Sequence, residues 1–318
     1  MVRRAVRPAL VLAFLLAVAV GTAGALRALD WTSVRAIAEP SRIGLAASAF
    51  AANSVAMLLA MASWRALLLD LDPAVNRLTA ARIFYVGFLA KFAPGRLWSL
   101  LANIRMGRTA GVMPARMATV YVLNLVVSAL TGLTVGLVAA PAILGRPAAA
   151  LVLAAAPVIA CLIRPDLVNR WAGAAARSLR RPPPGTAASD RGVRHAIWAQ
   201  AGCWLAAGVQ LWLLAVAWGA PPLRSLPVCV GAFGLATVAG IAVVVAPDGL
   251  GVREGVLLVA LAAVMPLPAA GAVAVASRLL CTLSELASAG VALLAVEVTR
   301  HRAVPGVPSV PGGPDESR

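Results

Sequence analysis

Runs of about twenty apolar residues recur along the 318-residue chain, at 8–26, 43–69, 117–140, 148–163, 196–220, 226–246 and 268–296. Most are long enough to cross the roughly 30 Å hydrocarbon core as helices, at 1.5 Å per residue. Inside a bilayer every backbone N–H and C=O must find a partner within the protein, and a helix supplies these partners locally. Charged residues make up only 13% of the chain, about half the share that keeps an ordinary globular surface in water. The expected fold class is therefore all-α: a polytopic helical membrane protein of about six to eight spans.

Arginines punctuate these runs, and short loops rich in Lys and Arg stay on the cytoplasmic side of a membrane. The connection 164–195 carries Arg164, Arg170, Arg177, Arg180, Arg181, Arg191 and Arg194 against Asp166 and Asp190. It is expected to be a cytoplasmic loop, with Pro182, Pro183, Pro184 and Gly185 as a flexible linker. The N-terminus, with Arg3, Arg4 and Arg7, is expected on the same side. The run 8–26 ends in Ala-Gly-Ala at 23–25, as a cleavable signal does, but it exceeds a signal core in length and favours an uncleaved first span. Counting crossings from this anchor places 164–195 inside only if 78–104 enters the membrane and returns. The connection 27–42, with Arg27, Arg35 and Arg42, then lies outside against the rule.

The tip of that expected re-entrant hairpin reads Leu-Ala-Lys-Phe-Ala-Pro-Gly-Arg-Leu-Trp at 89–98 and holds the chain's single lysine, Lys91. Pro94 disfavours helix at Ala93, and Gly95 frees the backbone. A second interruption follows at Pro247, Asp248, Gly249 and Gly251, with Arg253 and Glu254 just beyond. The piece 252–265 is short for a span and reads as a half-helix. Two broken elements of opposite orientation point to an inverted repeat with its site at the breaks. Lys91 and Arg96, beside an exposed helix start, suit an anion such as a lipid phosphate; long basic side chains also snorkel to interfaces. Glu254 is placed to cap the helix beginning at Gly251, and Asp248, Arg253 and Glu254 form a charge cluster suited to gating. Arg278 and Glu285 lie seven residues apart on one helical face, as a structural ion pair or as part of a pathway.

The net charge of +16 falls in connections between apolar runs, with no basic domain or nucleic-acid-reading motif, so no nucleic acid is expected as a partner. Cys161, Cys203, Cys229 and Cys281 are widely spaced in apolar runs, and His195 and His301 sit in basic flanks. Neither set forms a ligand cluster, and no metal or cofactor is expected. No nucleophile–base pair or carboxylate dyad indicates a reaction, so an enzyme is not the favoured reading.

The stretches Ala-Pro-Gly-Arg-Leu-Trp at 93–98 and Pro-Asp-Gly-Leu-Gly-Val-Arg-Glu-Gly at 247–255, with the arginine-bearing helix after them, resemble the lysylphosphatidylglycerol synthase transmembrane-region family. The resemblance covers about residues 8–300 and places Pro94, Gly95, Arg96, Pro247, Gly249, Gly251, Arg253, Glu254 and Arg278 at motif positions. Asp248 stands where many relatives have glycine. It implies a lipid-handling transmembrane domain at 1–302, followed by a Pro/Gly-rich tail at 303–318 in place of the soluble aminoacyl-transferase domain of the bifunctional synthases. The implied role is flipping or presenting an anionic phospholipid or polyprenyl-phosphate-linked lipid in a bacterial inner membrane. Lys91, Pro94, Gly95, Arg96, Gly249, Gly251, Arg253 and Glu254 would line the substrate, and Asp248, Arg278 and Glu285 would gate it. The alternative is a membrane scaffold that docks a separate cytoplasmic lipid-modifying enzyme or glycosyltransferase through 164–195.

Overall fold

A computed structural model describes residues 40–92, 97–138, 149–178, 188–242, 249 and 251–303. Among them every regular element is helical: α1 (Pro40–Leu71), α2 (Arg77–Leu89) with a 3₁₀ turn at Ala90–Phe92, α3 (Leu97–Thr109), α4 (Pro114–Val138), α5 (Ala149–Ile163), α6 (Asp166–Ser178), α7 (Asp190–Ala217), α8 (Pro222–Ala242), α9 (Val252–Leu261) and α10 (Leu267–Ala303). Five segments are long and apolar enough to cross a membrane: Arg42–Leu71, Pro114–Leu137, Asp190–Ala217, Pro222–Ile241 and Leu267–Thr299. They match five of the expected runs. The run 8–26 lies outside the described residues. Of α5, 15 residues are described, about 22 Å of helix.

The helices begin where local chemistry satisfies their first amides. Asn76 Oδ1 accepts from Thr79 N at 2.7 Å to open α2, and Ser189 Oγ accepts from Gly192 N at 3.1 Å to open α7. Such caps offset the cost of unpaired N–H groups. Proline starts α4 and α8, positions whose N–H has no helical partner to lose.

Packing is that of a membrane bundle. Ala is the commonest buried residue, and Ser and Cys are buried beside larger Leu, Val and aromatic side chains, whereas Leu153, Ile163, Leu205, Leu283, Val291 and Leu294 point outward. With no water to drive side chains inward, close backbone approach through small residues holds such bundles together. A Cβ on Gly234 of α8 would sit 2.7 Å from the Gly132 carbonyl oxygen of α4, and one on Gly208 of α7 would sit 2.4 Å from Val230 Cα of α8. The protein is an integral membrane protein by this architecture.

Several polar links gather helix ends at one end of the bundle. Asp72, after α1, pairs with Arg116 of α4 at 3.1 Å. Asp70 accepts from Ser189 N at 2.6 Å and from Ser189 Oγ, fixing the start of α7 against the end of α1. Asn169 of α6 exchanges two hydrogen bonds with the backbone of Ala188. Helices α2 and α3 pack side by side as a hairpin: Gly87 lies against Asn103 near the turn, and Thr79 and Ile83 share a small cavity with Met106 and Ala110 at the open end. These links bring the end of α1, the start of α4 and the start of α7 together.

One expectation needs correction. The connection 164–195 is not a loop throughout: residues 166–178 form α6, and α7 already begins at Asp190. Val168 and Ala172 of α6 are buried, while Arg170, Trp171 and Arg177 face outward. Its arginines read as loop composition, yet they form the polar face of an amphipathic helix.

Candidate functional site

The hairpin and the second interruption both reach one cavity. It has a volume of about 270 Å³ and is walled by α1, α2, α3, α4, α7, α8, α9 and α10. Its lining comes from the middle of the long helices: Asn53 and Met57 on α1, Tyr121 to Ser128 on α4, Gln200 to Ala207 on α7, and Glu285 on α10. Glu285 stands eighteen residues from either end of α10, so the cavity sits near mid-height. It also lies at the seam between the two apolar cores, one around Trp64, Phe84 and Leu123 and the other around Trp204, Phe233 and Leu257.

Two cations reach this cavity, one from each broken element. Lys91 follows α2 directly, in the 3₁₀ turn, and its Nζ meets Glu285 Oε2 at 2.8 Å and the Phe88 ring at 4.2 Å from the centroid. Arg253, in the first turn of α9, is only 6% exposed. Its guanidinium lies 4.6 Å from the Phe233 ring centroid and donates to Cys281 Sγ at 3.5 Å. A desolvated guanidinium gains from a ring face and retains its charge under all conditions.

The local backbone explains why α9 starts here. Gly251 has φ +87° and Gly249 φ +66°, values that a Cβ makes costly. A Cβ on Gly249 would also fall 2.5 Å from Gly240 Cα, so Gly249 lies directly against α8. Glu254 Oε2 accepts from Gly251 N at 2.7 Å, the reach-back expected of a third-position carboxylate. Its other oxygen pairs with Arg278 of α10.

The structure thus divides the expected site residues. Lys91, Arg253 and Glu285 line the cavity; Glu254 and Arg278 pair beside it and brace α9 against α10; Gly249 and Gly251 shape the turn. Arg278 and Glu285 share a helix but engage different partners, one at each broken element. Pro94, Gly95, Arg96 and Asp248 lie outside the described residues.

The amides of Asn53 and Asn103 join the charged residues in the cavity wall. Asn53 donates to Ser284 and lies 3.5 Å from Cys281 Sγ. Asn103 is 6% exposed, and its Nδ2 donates to Ser99 O at 2.9 Å. The carbonyl oxygens of Asn103 and Asn124 have no hydrogen-bond partner among the described residues, and both residues line the cavity. Buried acceptors of this kind are satisfied by water or by a ligand. Single amides inside apolar runs were the available signal, since polar groups at membrane depth face the bundle interior. The described residues contain no cluster of His, Cys, Asp and Glu able to hold a metal ion. No protein-family model matches the chain, and no curated protein is similar to it.

Proposed function

We propose that this membrane protein moves an anionic phospholipid, or a polyprenyl-phosphate-linked lipid, between leaflets, with Lys91 and Arg253 meeting the phosphate. The observation that carries the reading is the convergence of these two cations, one from each interrupted element, on a single mid-height cavity. Ionisable groups at membrane depth mark substrate pathways, and discontinuous helices hold the sites of many transporters. The cavity wall mixes aromatic and aliphatic side chains with amides and hydroxyls, which suits a headgroup entering with part of its chain. The motif resemblance supports the same class of substrate. On this reading α2 and α3, each 13 residues and about 20 Å long, form a re-entrant hairpin, and the arginine-rich end of the bundle faces the cytoplasm.

Reconstitution in proteoliposomes with a headgroup-labelled phosphatidylglycerol tests this. Lys91→Gln alone strands Glu285 in a site that desolvates it, a loss of about 3–5 kcal/mol, so the neutralised pair Lys91→Gln/Glu285→Gln is the fairer variant. Wild type is expected to carry label across the bilayer, and the pair to reduce the rate at least tenfold while melting near wild type. Equal rates remove Lys91 from the site. A wild type that moves no lipid favours the scaffold reading instead, for which the outward Arg170, Trp171 and Arg177 of α6 offer a docking face.

A further inference from the structure

Lys91 does not meet the cavity bare. Glu285 holds its ammonium at 2.8 Å, and both side chains are largely enclosed, 19% and 10% exposed. Among the described residues lining the cavity Glu285 is the one carboxylate, set against Lys91 and Arg253. It stands one helical turn beyond Cys281, the residue that contacts the Arg253 guanidinium. A carboxylate at this depth persists because a cation lies beside it.

The two partners differ in freedom. Glu285 projects from the middle of α10, which is fixed to α1 through Asn53 and Ser284 and to α9 through Glu254 and Arg278. Lys91 sits in a three-residue turn on a flexible four-carbon stem. An anion that reaches the Lys91 ammonium therefore competes with the carboxylate already beside it, and Lys91 is the group that swings.

We propose that Glu285 is a resident counter-ion, holding the anion position at Lys91 while the cavity is empty and yielding it to the phosphate of the ligand. The inference rests on the reading of the cavity as an anion site and adds to it a specificity element. Glu285 sets the threshold that an anion must exceed. A phosphodiester carries one charge, as the carboxylate does, and competes because its two free oxygens reach both Lys91 and Arg253; a phosphate monoester adds charge and a third acceptor oxygen. After release the Lys91–Glu285 pair forms again and resets the site. Removing the carboxylate then strengthens binding and slows release, whereas a bracing role predicts weaker binding or none.

The test uses full-length protein in nanodiscs of phosphatidylcholine, titrated with dihexanoyl-phosphatidylglycerol and separately with inorganic phosphate, read by calorimetry. Glu285→Gln is expected to bind at least tenfold tighter than wild type, and the gain is expected to vanish in the Lys91→Gln background. Tightening by either probe supports the exchange, and the probe that tightens names the source, a lipid headgroup or phosphate alone. A folded Glu285→Gln that binds equally or more weakly overturns the counter-ion role and leaves the anion site standing. No binding by any variant overturns both. Should Glu285→Gln fail to fold, Glu285→Asp keeps the charge but draws it back from Lys91. A smaller tightening is expected there, and an unchanged affinity overturns the proposal.

Discussion

At the residue scale, much of the bundle's register depends on a few polar groups with no substitute nearby. Asp70 accepts both the amide and the hydroxyl of Ser189, while Ser189 caps α7 through Gly192 N. A Cβ on Gly192 would lie 2.6 Å from the Asp70 carboxyl carbon, so glycine is what lets the carboxylate approach the helix start. Its negative charge also complements the positive end of α7. Asp70→Ala is expected to destabilise the protein by about 1–3 kcal/mol, read as a lower melting temperature in detergent. An unchanged melting temperature would show that water replaces the carboxylate fully. The sequence offered little sign of this role, because Asp70 and Ser189 are 119 positions apart and only the fold brings them together.

At the scale of elements, the α2–α3 hairpin depends on Gly87 facing Asn103, where an added Cβ would come within 2.5 Å of the amide. Gly87→Ala is expected to cost about 1–3 kcal/mol through overpacking. In an Asn103→Ala background most of that cost should disappear, a coupling measured by a double-mutant cycle in detergent unfolding. Additive losses would mean that the two helices do not pack as described. The short helix after Gly251, with Glu254 turned back to its first amide, was legible in the sequence, whereas Pro94 and Gly95 lie outside the described residues. The two broken elements differ, however: two 13-residue helices flank the first, whereas a 21-residue and a 10-residue helix flank the second. Hidden from sequence was α6, since arginines on one face of a helix and arginines in a loop have the same composition. Hidden too were the partners of Arg278 and Glu285, which depend on how α10 sits against α2 and α9.

At the scale of the molecule, apolar runs announced the spanning helices and their interruptions announced a site, but nothing in the sequence announced which eight helices wall its cavity. That cavity follows from where eight helices meet, with their small residues at the contacts and their amides and charges left facing inward. Its position gives Lys91 and Arg253 a setting in which their charge is worth far more than in water. It also ties the account to one geometric claim: the hairpin enters and leaves on one side of the membrane, and the cavity beside its turn is wet. Arg77 and Arg108 are exposed at the open end of the hairpin, and Ser128 lines the cavity. The most direct test places single cysteines at these three positions in a variant lacking the four native cysteines. Membrane-impermeant thiol reagents are then applied from each side of the bilayer. The account predicts that the cysteines at 77 and 108 react from the same side and that the one at 128 reacts with a small water-soluble reagent. Labelling of 77 and 108 from opposite sides would mean that this segment crosses the membrane, and would contradict the account at its centre.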